Sequence, residues 1–308
     1  MFWFWNTCII VQINRFCKLM KIKILIPIFN DWESVLKLLE NINIEISKLN
    51  HEFSVILVDD ASTISNPKFE EKFHKIQSIK LIKMRENRGH ARCNAAGLKY
   101  IFENEEFDYV IPMDGDGEDR PEEIKNFVDN LNYSDGQAIV GERIKRSEGL
   151  FFKSCYFIHK IITYAFTGKS IRYGNYSCLP KSVIEKMINE KATWSSFSGS
   201  LTKVVNNKLS IPSERGLRYF GPSKMSFKNL LVHSLSIIGV FKYNVLIRSL
   251  IFLIVYFSII YQNITFITQI PIFCLLFFNI SVFNISKREN FFELKNSLNN
   301  ISEIETIK

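Results

Sequence analysis

From Lys21 onward, short continuous apolar runs alternate with longer stretches of helical period, and this alternation most narrows what the chain can fold into. Strands buried on both faces read as unbroken apolar runs, and the helices that connect them in parallel read as amphipathic segments. The pattern therefore specifies βαβ units around a buried parallel sheet. Strands are expected at residues 22–28, 53–58, 79–83, 109–113 and 138–141, with helices at 32–49, 67–76, 91–102 and 121–131. The last helix opens on Pro121 with Glu122 and Glu123 in its first turn, where a helix start favours both. Such a doubly wound sheet binds ligands outside the carboxyl ends of its strands, so chemistry is expected in the loops after Ile28, Val58 and Met113.

At 308 residues there is room for one α/β domain of ordinary size and a further part. Beyond Gly141 the chain reads as a helix at 150–166, a loop containing Gly and Tyr, and helices at 180–189 and 194–206, expected to build an acceptor side. Residues 225–241 place Phe227, Leu230, Leu231, Leu235, Ile238 and Phe241 at helical spacing, as in a helix lying along a membrane surface. Two strongly apolar runs follow, 245–261 and 264–283, separated only by Gln262 and Asn263. They read as a transmembrane hairpin, with a re-entrant hairpin as the alternative because Arg248 interrupts the first run. Lys242 and Arg248 before, and Lys287 and Arg288 after, keep both ends on the cytosolic side, with the catalytic domain.

The expected partition is an N-terminal extension at 1–20, a catalytic domain at 21–224, the interfacial helix at 225–243, the two spans at 244–284 and a cytosolic tail at 285–308. The first twenty residues are apolar but lack a basic leading region, and Asn6, Gln12, Asn14 and Arg15 break them up. They do not read as a signal peptide, and a start at Met20 is preferred over an interfacial anchor.

Thirty-nine Lys and Arg against 31 Asp and Glu leave +8, without the basic block or aromatic–basic repeat that nucleic acid requires. Anionic phosphates and lipid headgroups are the partners this excess suits. The six cysteines show neither CxxC pairing nor metal-ligand spacing with the histidines, which is the usage of reduced thiols.

The sharpest chemical signal is YVIPMDGDGED at 109–119, an apolar strand running directly into acidic residues two apart. In extended backbone such residues point the same way, so Asp114, Asp116 and Glu118 are expected to converge on one cation. Hard oxygen ligands suit Mg²⁺ or Mn²⁺, and a pyrophosphate can complete the octahedron. An EF-hand loop needs Gly where Asp119 stands and Glu where Lys125 stands, and so is excluded. A solvated acidic turn is the plainer reading of the triplet taken alone. Two further strands, ending in IPIFND and ILVDDAS, bring polar groups to the same sheet edge. Pro27 fixes one of these loops, and an aspartate in such a pocket can accept hydrogen bonds from a base or ribose. For Asp59 and Asp60 a turn cap is the alternative.

The set IPIFNDWES, VDDAS, ENRGHARCNAAG and MDGDGED resembles the signature of family-2 glycosyltransferases with the GT-A fold, over about Lys21 to Phe241. The resemblance is closest to the polyprenyl-phosphate sugar transferases, of which dolichol-phosphate mannose synthase is the familiar member. It implies that Pro27, Phe29, Asp31 and Asp60 hold the nucleoside, that Asp114 sits near ribose or metal, and that Asp116 and Glu118 ligate the metal. Two departures stand out: Glu118 occupies a position often Gln in the dolichol-phosphate enzymes, and Asn30-Asp31-Trp32 replaces the commoner Asn-Glu. Analogy therefore leaves the donor as a UDP- or GDP-sugar. Downstream, GERIKR with Arg143 and Arg146, and GNYS with Tyr176 and Ser177, resemble the segments that approach the acceptor. The stretch 211–224, with Arg215, Arg218, Ser223 and Lys224, is similar to the basic loop before the membrane helix.

These cations exceed what one metal-bound diphosphate needs, and guanidinium groups bind phosphate oxygens bidentately, so a second phosphate on a polyprenyl acceptor is expected. A basic juxtamembrane face attracted to anionic lipid is the plainer alternative. Transfer to a hydroxyl needs a general base, yet residues 192–205, where one is sought, contain no acidic residue. The Gln-x-x-Arg-Trp motif of processive synthases is missing too. The reading is metal-dependent, inverting displacement by a polyprenyl-phosphate oxygen, with Asp116, Arg143, Arg215 and Lys224 as catalytic residues and Arg146, Tyr176, Ser177, Arg218 and Ser223 on the acceptor. Its rivals are transfer to a saccharide hydroxyl in cell-surface polysaccharide synthesis and a catalytically silent membrane-bound homologue.

Overall fold

The computed structural model describes residues 19–69, 72–145, 150–222 and 226–308. Eight strands form one mixed sheet: β1 (Lys21–Ile28), β2 (Glu52–Asp59), β3 (Ile79–Met84), β4 (Tyr109–Pro112), β5 (Ala138–Lys145), β6 (Tyr173–Pro180), β7 (Lys208–Glu214) and β8 (Ile301–Thr306). Their order is β7-β5-β6-β4-β1-β2-β3-β8. The β1–β2, β2–β3, β1–β4 and β5–β7 pairs are parallel, as the unbroken apolar runs require. Helices α1 (Trp32–Ile46) and α2 (His90–Asn104) cover opposite faces. Val35, Leu38 and Leu39 of α1 pack in one apolar cluster, and Cys93, Ala96 and Ile101 of α2 in the other. The first four strands fall where expected, to within a residue or two.

Among the described residues of 67–76, where a helix is expected, none is helical. Phe73 and Ile76 enter the core singly, while the backbone of Gln77 bonds to Phe53 and that of Lys75 to the Asn43 side chain, so tertiary partners replace helical ones. Residues 121–131 divide into a 3₁₀ turn, Pro121–Glu123, and a short helix α3, Ile124–Asp129. The stretch read as a Gly- and Tyr-containing loop supplies β6, antiparallel to both β4 and β5. Cross-strand pairs such as Val110 with Leu179 and Ile139 with Cys178 outweigh the poor strand propensity of Gly174 and Asn175.

Around the sheet lie α4 (Leu150–Thr167), α5 (Lys181–Ile188), α6 (Phe197–Val204) and α7 (Phe227–Gly239). Then come α8 (Lys242–Ile260) and α9 (Phe266–Ser286), two helices long and apolar enough to cross a membrane. The face of α7 read as membrane-facing is divided: Phe227 and Leu231 are exposed, while Ile238 packs with Val245 of α8 and Val282 of α9. Arg248 donates to the Ala165 carbonyl at 3.0 Å and Asn244 to that of Thr167 at 3.2 Å. The charge that interrupts the first apolar run thus caps the carbonyl end of α4.

Residues 285–308 are not a free tail. They form the short helix α10 (Phe291–Lys295) and then β8, which pairs antiparallel with β3. The sheet therefore holds chain from both sides of the α8–α9 hairpin.

Candidate functional site at the carboxyl ends of the strands

Pro27 lies in β1 in register with Val58, and Phe29 stands exposed just past the strand end. Asn30 has φ +53° and its side-chain oxygen accepts from the backbone of Thr63 and Ile64, while its own N–H donates to Ser62. The loops after β1 and β2 are thereby stitched into one wall. Asp59 caps its turn, accepting from Ser62 N at 3.0 Å. Asp60 is buried, and its two oxygens take the backbone N–H groups of Arg88 and Gly89, each at 2.8 Å. Burial pushes its carboxyl above the usual range against the pull of those two hydrogen bonds. Asp60, expected to touch the nucleoside, sets the loop that leads into His90.

The acidic triplet does not converge as the period-2 argument expects. Strand β4 stops at Pro112 and the chain turns, with Gly117 at φ +88° and Glu118 N donating to Asp116 Oδ1. Side chains two apart then leave one face. Among the described residues no three His, Cys, Asp or Glu side chains come together as a metal cluster. Asp114 meets Asn175 Nδ2 at 3.2 Å and His90 Nε2 at 3.3 Å. Asp116 takes Arg218 at 2.5 Å, and Arg218 reaches Asp31 at 2.6 Å. Glu118 pairs with Arg215.

Burial and the Asp114 charge push the Asp116 carboxyl up to about 6, with Arg218 and Arg215 pulling the other way. Burial likewise raises Asp119, helped by Asp114; its carboxylate accepts from the Asp114 backbone at 2.9 Å. Burial opposes ionisation of Asp114 too, yet His90, Arg215 and Arg143 hold its carboxyl below the ordinary value.

On the acceptor side, the tip of the Arg143 guanidinium packs against Gly174: a Cβ there would stand 2.6 Å from Nη2. It makes no ion pair among the described residues and faces Asp114 and Asp119. Tyr176 and Ser177, expected on the acceptor, are core residues. Tyr176 packs edge-on against Phe127 and donates to the Arg120 carbonyl, and Ser177 donates to that of Asn175. The strand's alternation buries Tyr176 and brings Asn175 to the site in its place. Arg218, also expected on the acceptor, lies on the carboxylates. Arg146, Ser223 and Lys224 fall outside the described residues.

His90, Asn175 and Asp119 escaped the sequence reading as site residues. His90 and Asp119 lie inside the motifs already quoted, and only the pairing of β6 brings Asn175 to them. The residues fit a divalent cation in one respect: the anionic oxygens of Asp31 and Asp116 already hold a cation between them, the Arg218 guanidinium, and hard carboxylate oxygens suit Mg²⁺ or Mn²⁺.

A mixed sheet of this order with carboxylates and arginines at its carboxyl edge is the architecture of a GT-A glycosyltransferase. The model of glycosyl transferase family 2 matches residues 23–186, more than half of the chain, and the chain belongs to that family. Among curated proteins it is similar to the undecaprenyl-phosphate 4-deoxy-4-formamido-L-arabinose transferase of Proteus mirabilis, 29% identical over 226 residues, covering 71% of this chain and 67% of that protein. The enzyme of the same name from Salmonella choleraesuis is 27% identical, covering 68% and 64%. The chain thus spans about two thirds of the length of these relatives. Among solved structures, glucosyl-3-phosphoglycerate synthase from Mycobacterium tuberculosis, crystallised with Mn²⁺, uridine diphosphate and phosphoglyceric acid, superposes with a TM-score of 0.53 at 12% identity, over 73% of this chain and 78% of that one. That likeness concerns the fold.

Proposed function

We propose that this glycosyltransferase moves a sugar from a UDP- or GDP-sugar to a polyprenyl phosphate at the membrane surface, with its catalytic domain on the cytosolic side. One observation carries the reading. Arg143, with no carboxylate partner among the described residues, faces the acidic loop beside two further arginines, on a domain joined to an apolar hairpin at both of its ends. The absence of any acidic residue from 192–205 agrees, because a phosphate nucleophile is already ionised. The curated relatives act on undecaprenyl phosphate by name. The hairpin's return to the sheet through β8 favours an even number of crossings.

Asp31, Asp116 and Glu118 are the carboxylates available to Mg²⁺ or Mn²⁺, which when bound would neutralise the departing diphosphate. Asp60 holds the 88–90 loop, so that His90 and Asn175 fix the Asp114 carboxylate. Arg143, held in place by Gly174, offers its guanidinium to the acceptor phosphate, which attacks the anomeric carbon from the face opposite the leaving group and inverts it. Membranes containing the protein, given labelled nucleotide-sugars, should yield label that partitions into organic solvent and is released by mild acid. Label confined to aqueous saccharide would favour a hydroxyl acceptor and sink the lipid assignment.

A further inference from the structure

Residues 215–219 lie across the acidic loop as a strap. Gly216 N donates to the Glu118 carbonyl at 2.8 Å and Tyr219 N to that of Asp116 at 3.0 Å. The Tyr219 ring packs against Gly117, and its hydroxyl accepts from Asn41 Nδ2 at 2.8 Å. From this strap Arg215 reaches Glu118, and Arg218 spans Asp116 and Asp31. Both guanidiniums are largely buried, and in each the Nε–H is buried without an acceptor. Nε with one Nη is the fork that grips a phosphate. Each arginine is therefore committed to a carboxylate through its tip, with a buried donor left over.

We infer that the strap holds the place of the cation: Arg215 and Arg218 neutralise the carboxylates until a divalent ion with a nucleotide diphosphate displaces them, and the freed forks then take phosphate. This rests on the transferase reading and adds an order to it. Arg218 already holds Asp116 Oδ2 at 2.5 Å and Asp31 Oδ2 at 2.6 Å, so a divalent ion bound to those oxygens would sit close beside the guanidinium in a largely buried site, and their repulsion favours the departure of one cation. The acceptor phosphate, met by Arg143 throughout, therefore gains Arg215 and Arg218 only after the donor is in place.

The test uses the full chain in detergent micelles. Mn²⁺ alone, then Mn²⁺ with UDP or GDP, is titrated calorimetrically, and trypsin cleavage after Arg215 and Arg218 is followed alongside. Cleavage at these bonds is expected to rise at least fivefold when Mn²⁺ and nucleotide are both present. Gly216→Ala changes no charge but would set a Cβ 2.8 Å from the Gly117 carbonyl, unseating the strap; it should raise Mn²⁺ affinity several-fold and make cleavage independent of ligand. Arg218→Ala should raise the affinity about tenfold. Arg143→Ala removes an equal charge outside the strap and should move it far less.

If Gly216→Ala and Arg218→Ala bind Mn²⁺ no more tightly than the wild type while nucleotide still binds, the strap inference falls and the transferase reading stands. Equal gains from Arg143→Ala and Arg218→Ala would also overturn it, showing plain electrostatics. If no nucleotide binds with Mn²⁺ to any of the proteins, both fall together.

Discussion

At the amino ends of the central strands, Lys23 and Lys80 close on Glu105 at 2.9 and 2.6 Å, with Lys23 and Glu105 largely buried and Lys80 partly exposed. At the carboxyl ends, Asp31, Asp116 and Glu118 share two arginines from a loop about one to two hundred residues away, while Asp60 and Asp119 accept from backbone N–H groups and Asp114 meets His90 and Asn175. Burial works against ionisation at both ends, but the balance differs. Two lysines bring the Glu105 carboxyl below its ordinary value despite burial, whereas Asp60, Asp116 and Asp119 are all raised. Charge matched inside the fold holds a scaffold together. Charge left short of partners is chemistry waiting for a ligand, and its cost to the folded state accompanies activity.

The comparison breaks most visibly if single residues are exchanged for neutral ones. Asp116→Asn should lower sugar transfer by about 10²–10³-fold, read as label in the organic phase, with the fold intact. Glu105→Gln should leave chemistry alone and cost about 2 kcal/mol in denaturant unfolding, because two lysines lose their buried partner. Gly174→Ala should reduce transfer roughly tenfold by pushing the Arg143 guanidinium off its seat, with no change in nucleotide affinity.

Acidity sharpens the contrast, because Glu105 and Asp116 are shifted with opposite signs. The folded Glu105 carboxyl titrates below its unfolded value, so its contribution is full at neutral pH and is lost as pH falls through the folded value. The folded Asp116 carboxyl is pushed up to about 6, above its unfolded value, so its cost to the metal-free protein builds as pH rises from the unfolded value, is complete above about 6 and is absent in acid. In metal-free thermal scans, Asp116→Asn should therefore raise the midpoint by a few degrees at pH 7 and not at pH 3.5, whereas the loss caused by Glu105→Gln should shrink toward pH 3. Lys83→Ala, removing solvent-exposed pairs with Glu303 and Glu305 at the β8 edge, should change stability by less than about 0.5 kcal/mol.

How far each part was legible follows from where its specification lies. The strands β1, β2 and β4 announce themselves because four or five consecutive apolar residues have no other stable use, while β3 shows only Ile79, Leu81, Ile82 and Met84 set between lysines. Their ends, with Asp31, Asp60 and Asp116, were found with them. Strands β6, β7 and β8 carry Gly174, Asn175, Pro212 and alternating charge, and each is a strand only because a neighbour supplies hydrogen bonds. A helix at 67–76 was expected because Phe69, Phe73 and Ile76 are helically spaced, but spacing does not reveal that β2 and Asn43 would take the backbone bonds.

The sequence alone determined a parallel α/β core of family 2, a carboxylate-rich edge at the strand ends and an apolar hairpin near the C-terminus, because periodicity and local motifs are properties of neighbouring residues. Only the tertiary structure decided that the acidic triplet would part among His90, Arg218 and Arg215, that Asn175 and not Tyr176 would face the site, and that residues 301–306 would close the sheet. Those outcomes depend on groups up to some two hundred positions apart meeting at hydrogen-bond distance, and no local pattern encodes such a meeting.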